Sequence, residues 1–214
     1  MKKRIALLVY PEFSLQEVSN LMNVLRWHYD TLTDVIYTEM ETVKSEEGIY
    51  VIPTKLCDDF CVDDYDCLIL PGCSDLREGI RNKKIDTFLK RFKENNHFII
   101  GAICAGPLFL AKAGLLHEKK YTDSLFVEMR EQFEFIEEEN FVAAPVVEDG
   151  NIITAGGSAF NDFAVHIVRK LGYDCPDKIL TGYMNDWKEK DYLHHLTNED
   201  LVEFKAEFYD FIIK

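Results

Sequence analysis

No stretch of this chain approaches the roughly 18 to 20 consecutive apolar residues that a membrane-crossing helix requires, so no spanning segment is expected. Basic charge is also scarce: 24 Lys and Arg stand against 38 Asp and Glu, a net charge of −14. The average field therefore repels phosphate backbones and anionic lipid, which argues against nucleic-acid or membrane partners. Cys57 and Cys61 are not followed by a Cys or His pair at zinc-finger spacing, so neither a metal nor another cofactor is expected. The basic start Lys2-Lys3-Arg4 leads into an apolar run, Ile5 to Tyr10, too short for a signal core and closed at once by Pro11 and Glu12. A cytoplasmic setting with reduced thiols follows as the expectation for the six cysteines. Repeats and low-complexity segments are lacking too, which removes solenoid architectures.

What is present is the patterning of a globular protein: 47% hydrophobic and 29% charged residues over 214 positions, with no linker-like stretch. Arg4 to Tyr10 reads as a strand buried on both faces, as do Cys67 to Leu70 and Phe98 to Ile103. Val35 to Thr38 and Ile49 to Ile52 read as shorter strands. Ser14 and Glu17 have the spacing of a capping box, after which Val18, Leu21, Met22 and Leu25 recur at helical intervals to Tyr29. Helices are also predicted near Ile85 to Phe92, from Pro107 to Ala113 with Gly114 as the stop, and from Ser124 to Phe133. Asp149-Gly150 between apolar pairs predicts a hairpin, and Gly156-Gly157-Ser158 opens a helix running to Leu171 and stopped by Gly172. Strands alternating with helices predict an α/β fold with a mainly parallel sheet covered on both faces. The tail from Pro176 carries Trp187, His194 and His195 and a predicted helix from Asn198 to Ile212.

The sharpest chemical signal is Gly101-Ala102-Ile103-Cys104-Ala105-Gly106-Pro107, where a buried strand runs straight into a helix through one thiol. Small residues two before and two after the cysteine permit the strained turn of a nucleophile elbow. The sulfur then sits at a helix N-terminus, where partial positive charge is expected to favour thiolate. A free cysteine is most often a small buried hydrophobe, and that reading is preferred for the other five. For Cys104 the flanking geometry points to function, because Ala or Ser serves a merely tight turn equally well.

Ala102-Ile103-Cys104-Ala105-Gly106-Pro107, followed by Ala113-Gly114-Leu115-Leu116, resembles the nucleophile segment of the ThiJ/PfpI family, within the class I glutamine amidotransferase-like superfamily. Asp64-Tyr65-Asp66 before Leu70-Pro71-Gly72, and Asp149 to Gly156, extend the resemblance over roughly residues 4 to 172. The resemblance implies a flavodoxin-like three-layer sandwich over residues 1–175, with residues 176–214 as a C-terminal helical extension packed on it, and a homodimer. It implies that Glu17 is the acid that hydrogen-bonds the Cys104 sulfur, in competition with its capping-box role, and that the backbone amides of Cys73 and Ala105 form an oxyanion site.

Two departures shape the functional expectation. The family loop Pro-Gly-Gly reads Pro71-Gly72-Cys73 here, which makes Cys73 a candidate redox partner of Cys104. Where relatives carry histidine, after the nucleophile or in the loop after the next strand, this chain has Ala105 and Thr122-Asp123-Ser124. Loss of a base that also protonates an amine weakens protease and glutaminase assignments most. The expectation is a Cys104–Glu17 hydrolase or lyase acting on small reactive carbonyls or related electrophiles, as in glyoxalase- or deglycase-like relatives. Two alternatives stay open: a thiol-based oxidative-stress sensor with little turnover, and a catalytically silent binding module.

Overall fold

The computed structural model describes residues 2–180 and 197–207. The chain divides into two compact units, 1–180 and 181–214. Within the first unit, Arg169 donates to the Cys175 carbonyl at 2.7 and 2.9 Å, and Tyr29 donates to the Asp174 carbonyl at 2.7 Å.

The first unit is built on β1 (Arg4–Leu8), α1 (Gln16–Tyr29), β2 (Leu32–Tyr37), β3 (Val43–Lys44), β4 (Tyr50–Val51), β5 (Lys55–Leu56), β6 (Cys67–Leu70), α2 (Leu76–Arg81) and α3 (Lys83–Lys90). It continues with β7 (Ile99–Ile103), α4 (Gly106–Lys112), α5 (Val127–Arg130), β8 (Val146–Asp149), β9 (Ile152–Ala155) and α6 (Phe160–Lys170). A seven-stranded sheet has the order β5-β2-β1-β6-β7-β9-β8, and every pair is parallel except β8 with β9. The central strands are buried almost throughout, β6 and β9 at every position, as the continuous apolar runs require. α1 packs against α6, and α6 against β7 and β9, while α3 packs against α4 and α4 against β7. This is the expected flavodoxin-like α/β architecture.

Strand order reverses between β1 and β6: the chain moves from β1 outward to β2 and β5, then returns to lay down β6, β7 and β9 on the other side. In such sheets, functional crevices lie beyond the carboxyl ends of the strands flanking the reversal. The loops after β1, β6, β7 and β9 all emerge there.

Several local expectations are corrected. The predicted capping box does not form: Ser14 and Glu17 make no reciprocal cap, and the first amides of α1 donate instead to Glu47, Leu15 N–H at 3.2 Å and Gln16 N–H at 2.8 Å. The predicted helix from Ser124 to Phe133 shrinks to the single turn of α5, because Arg130 folds inward. Its guanidinium donates to Asp123 at 2.9 Å, to the Leu125 carbonyl at 2.8 Å and to Glu138 at 2.9 Å, and stacks 3.8 Å from the Phe141 ring centre. The short elements β3, β5 and α2 carry too little periodicity to be read from sequence. Cys57, Cys67 and Cys175 are buried as preferred, but Cys61 is exposed and Cys73 only half-buried.

The second unit contributes α7 (Asn198–Glu207), opened by Thr197, whose hydroxyl accepts from Asp200 N–H at 3.1 Å and donates to the Asp200 carboxylate at 2.7 Å. Trp187, His194, His195 and the end of the predicted helix to Ile212 lie outside the described residues. Among the described residues, no helix is long and apolar enough to cross a membrane.

The elbow depends on one close approach. A Cβ on Gly106 would sit 2.7 Å from the Leu70 carbonyl oxygen and 2.8 Å from that of Pro71, both backbone atoms that cannot swing aside. Helix propensity alone predicts that Gly106→Ala stabilises by about 1 kcal/mol. The packing reverses the sign, and a loss of about 1–3 kcal/mol is expected, read as a lower urea midpoint. An unchanged or raised midpoint contradicts this packing.

Candidate functional site

Cys104 follows the last residue of β7 and precedes α4, with a left-handed φ of 59°. For a residue with a Cβ this conformation costs about 1–2 kcal/mol. It persists because both sides are tied down: Cys104 N–H donates to the Ala155 carbonyl at 2.8 Å, and the Cys104 carbonyl accepts from Ser124 N–H at 3.0 Å. The strain turns the sulfur out of the sheet and toward the crevice, as the flanking small residues predicted.

Glu17 reaches the sulfur from the first turn of α1 and is buried. Its Oε2 accepts from Gly72 N–H at 2.6 Å, which anchors the carboxyl in the loop after β6, and the carboxyl hydrogen-bonds the Cys104 thiol. Freed from helix capping by Glu47, the side chain turns inward.

The site is walled by glycine. A Cβ on Gly72 would fall 2.6 Å from Cys104 Cβ, 2.6 Å from Glu17 Oε2 and 2.9 Å from the sulfur. A Cβ on Gly157 would fall 2.8 Å from Glu17 Oε1 and 3.1 Å from the sulfur. Only backbone without side chains fits around the pair at these two positions.

Ser124 completes the set; the sequence marked it only as part of the segment that stands where relatives carry histidine, without a role of its own. Its hydroxyl accepts from Gly157 N–H at 2.8 Å, and its own N–H donates to the Cys104 carbonyl at 3.0 Å. Behind it, Asp123 accepts from Leu125 N–H at 3.0 Å and binds Arg130, a buried ion pair whose side chains are 1% and 4% exposed. The signal that identifies Ser124 is therefore tertiary, a loop fixed by a guanidinium six residues further on.

The predicted oxyanion donors differ in their present engagement. Ala105 N–H is directed at the Cys104 sulfur. Cys73 stands opposite Phe13 in an isolated antiparallel bridge whose hydrogen bonds belong to its neighbours, Ser14 N–H to Gly72 O at 2.9 Å and Ser74 N–H to Glu12 O at 3.1 Å. That leaves Cys73 N–H without a backbone partner among the described residues.

Electrostatics correct the expected low thiol pKa. Burial, then the charge of Glu17 and its hydrogen bond, push the Cys104 thiol up; the bonds from Ser124 and Ala105 oppose this without cancelling it. Burial likewise raises Glu17, against the lowering bonds from Cys104 and Gly72, with Glu46 and Glu47 adding to the rise. Both shifts run toward the protonated forms, so the pair resists carrying two negative charges and keeps at least one proton at neutral pH. Cys73 is pushed up to about 12 by burial and by the carboxylates of Glu46, Glu17 and Asp75, which opposes the thiolate form that disulfide exchange uses.

The described histidines are engaged elsewhere. His117 pairs with Glu137, His166 lies 2.6 Å from Glu148, His28 lies beside Tyr29, and His97 is exposed. No group of metal-ligating side chains is found among the described residues.

Residues 3–170 match the model of the DJ-1/PfpI family. The uncharacterized protease YoaZ of Bacillus subtilis is 30% identical over 163 residues, 74% of this chain and 75% of its own. Protein DJ-1alpha of Drosophila melanogaster is 29% identical over 173 residues, 79% of this chain and 77% of its own. The crystal structure of the DJ-1 superfamily protein Atu0886 from Agrobacterium tumefaciens superposes with a TM-score of 0.72 at 24% identity, covering 96% of this chain and 98% of that one, which shows the shared fold.

The charge of Glu17 is a principal cause of the raised Cys104 thiol. Glu17→Gln removes that charge while leaving burial in place, so the Cys104 titration moves to lower pH. Alkylation of Cys104 by iodoacetamide across a pH series, followed by peptide mass, measures the midpoint. A midpoint that rises instead shows that the carboxyl is the proton carrier of a resident thiolate.

Proposed function

The chain belongs to the DJ-1/PfpI family, and from that premise we propose that it is a Cys104–Glu17 enzyme, a hydrolase or lyase that acts on small reactive carbonyl compounds. The observation that carries this reading is the buried carboxyl of Glu17 set against the elbow sulfur across Gly72, with no described histidine acting on either.

The chemistry that suits such a pair is addition to an aldehyde. As the sulfur attacks, the S–H proton passes to Glu17, the C–S bond forms, and the carbonyl electron pair moves onto oxygen. That oxygen meets the free N–H of Cys73, and the N–H of Ala105 becomes available to it once the sulfur is a neutral thioether and a weaker acceptor. Glu17 then returns its proton to the oxygen, giving a hemithioacetal with atoms balanced and no leaving group to protonate. From an α-oxoaldehyde, an internal proton shift and hydrolysis by one water yield a 2-hydroxy acid without any external oxidant.

Peptide and amide hydrolysis ask more of the site, because an amine must leave protonated while a second nucleophile is activated. The thiol-sensor alternative draws less support from the geometry. Both Cys104 and Cys73 are pushed up by burial and neighbouring carboxylates, whereas oxidation by peroxide proceeds through thiolate.

Purified protein is expected to convert methylglyoxal to lactate, followed by loss of the dicarbonyl. Cys104→Ala abolishes turnover, and Glu17→Gln lowers it by about a hundredfold or more, even though its cysteine ionises more easily. Equal turnover by the native protein and Cys104→Ala across a panel of small aldehydes removes this reading.

A further inference from the structure

We infer that Tyr10 is a positioning residue for Glu17: its buried hydroxyl holds the Pro71 carbonyl and, through the same peptide unit, turns Gly72 N–H onto the Glu17 carboxyl. A trans peptide is planar, with its C=O and N–H pointing in opposite directions. At one end of this unit Tyr10 Oη donates to the Pro71 carbonyl oxygen, and at the other Gly72 N–H donates to Glu17 Oε2 at 2.6 Å. One plane is thus fixed from both sides.

Gly72 has no Cβ, so the peptide before it meets little steric barrier to turning over. Turned over, it would face Glu17 with a carbonyl in place of an N–H, an acceptor that opposes a carboxylate in place of a donor that suits one. The Tyr10 hydroxyl makes that rotation costly, because the Pro71 carbonyl would lose a buried partner. The next peptide is held separately, by Ser14 N–H on the Gly72 carbonyl at 2.9 Å. Space-filling alone does not call for the hydroxyl: Tyr10 is fully buried and packs its ring on Phe109 of α4 with centroids 4.6 Å apart, a place phenylalanine fills equally. A phenol buried there needs a partner, and its partner is the carbonyl against which Gly106 also closes.

A bond donated to a carboxyl favours its charged form, and the Gly72 bond pulls Glu17 down against the rise that burial imposes. Tyr10 therefore sets how readily Glu17 accepts a proton, acting through the peptide rather than at the sulfur. This inference rests on the proposed function only in taking Glu17 as the proton carrier.

The test is Tyr10→Phe in the full chain, which removes the hydroxyl and keeps the ring. Its two readouts need no substrate, so failure of the carbonyl reading leaves them standing. Hydrogen exchange of Gly72 N–H, followed by NMR, is expected to quicken about tenfold relative to Ile100 N–H, which donates to the Asn151 carbonyl within the sheet and follows global stability. In a Cys104→Ala background, the Glu17 carboxyl C=O stretch, assigned by its loss in Glu17→Gln, is expected to titrate about half a pH unit to one unit higher once Tyr10→Phe is added. Glu46, Glu47 and the Cys73 thiol bear on Glu17 equally in both proteins, and Tyr10, pushed up by burial, adds no charge to the comparison. Should Tyr10→Phe fail to fold, 3-fluorotyrosine installed at position 10 strengthens the donor instead, and Gly72 exchange is then expected to slow. Gly72 exchange that stays in step with Ile100, or a Glu17 midpoint that does not move, overturns the assignment.

Discussion

The contact between the Glu17 carboxyl and the Cys104 sulfur is the constraint around which the rest of the site is arranged. Neither group is well served by burial alone: the carboxyl and the thiol both resist charge there, and the charge of Glu17 makes a thiolate costlier still. The fold holds them together by supplying donors from backbone that has no side chain to interfere. Gly72 N–H fixes the carboxyl, Ala105 N–H and the Ser124 hydroxyl face the sulfur, and Gly157 N–H orients the serine.

These groups come from five segments, and the sheet explains why they converge. Strand order reverses between β1 and β6, so the chain leaving β1 delivers Glu17, that leaving β6 delivers Gly72 and Cys73, and that leaving β7 delivers Cys104, all at one edge. The parallel pairing of β7 with β9 brings Gly157 and the 122–125 loop alongside. The strained φ at Cys104 is the local cost, about 1–2 kcal/mol, and a core of fully buried strands offsets it.

Much of this was legible in the chain itself. Continuous apolar runs located β1, β6 and β7, and the glycine and alanine spacing around Cys104 located the elbow. Glu17 was reachable only through family resemblance, because its local spacing with Ser14 suggested a helix cap. The real cap, Glu47, lies 31 residues from Gln16 in sequence, and no local pattern reveals it. Ser124 was hidden for a similar reason: a charged segment that reads as an amphipathic helix is instead wound around the buried Arg130. The helix-terminus expectation of a low thiol pKa failed because burial, and then the whole charge of Glu17, outweigh the partial charge at the start of α4.

The central claim is that Cys104 and Glu17 do not both carry charge at neutral pH. Infrared difference spectra between the native protein and Cys104→Ala, recorded from mildly acidic to strongly alkaline pH, follow the S–H and the protonated carboxyl C=O stretches together. The account predicts that at least one of these bands persists through neutral pH and vanishes only in alkali. Loss of both bands at or below neutral pH would mean two adjacent buried charges, and would contradict it.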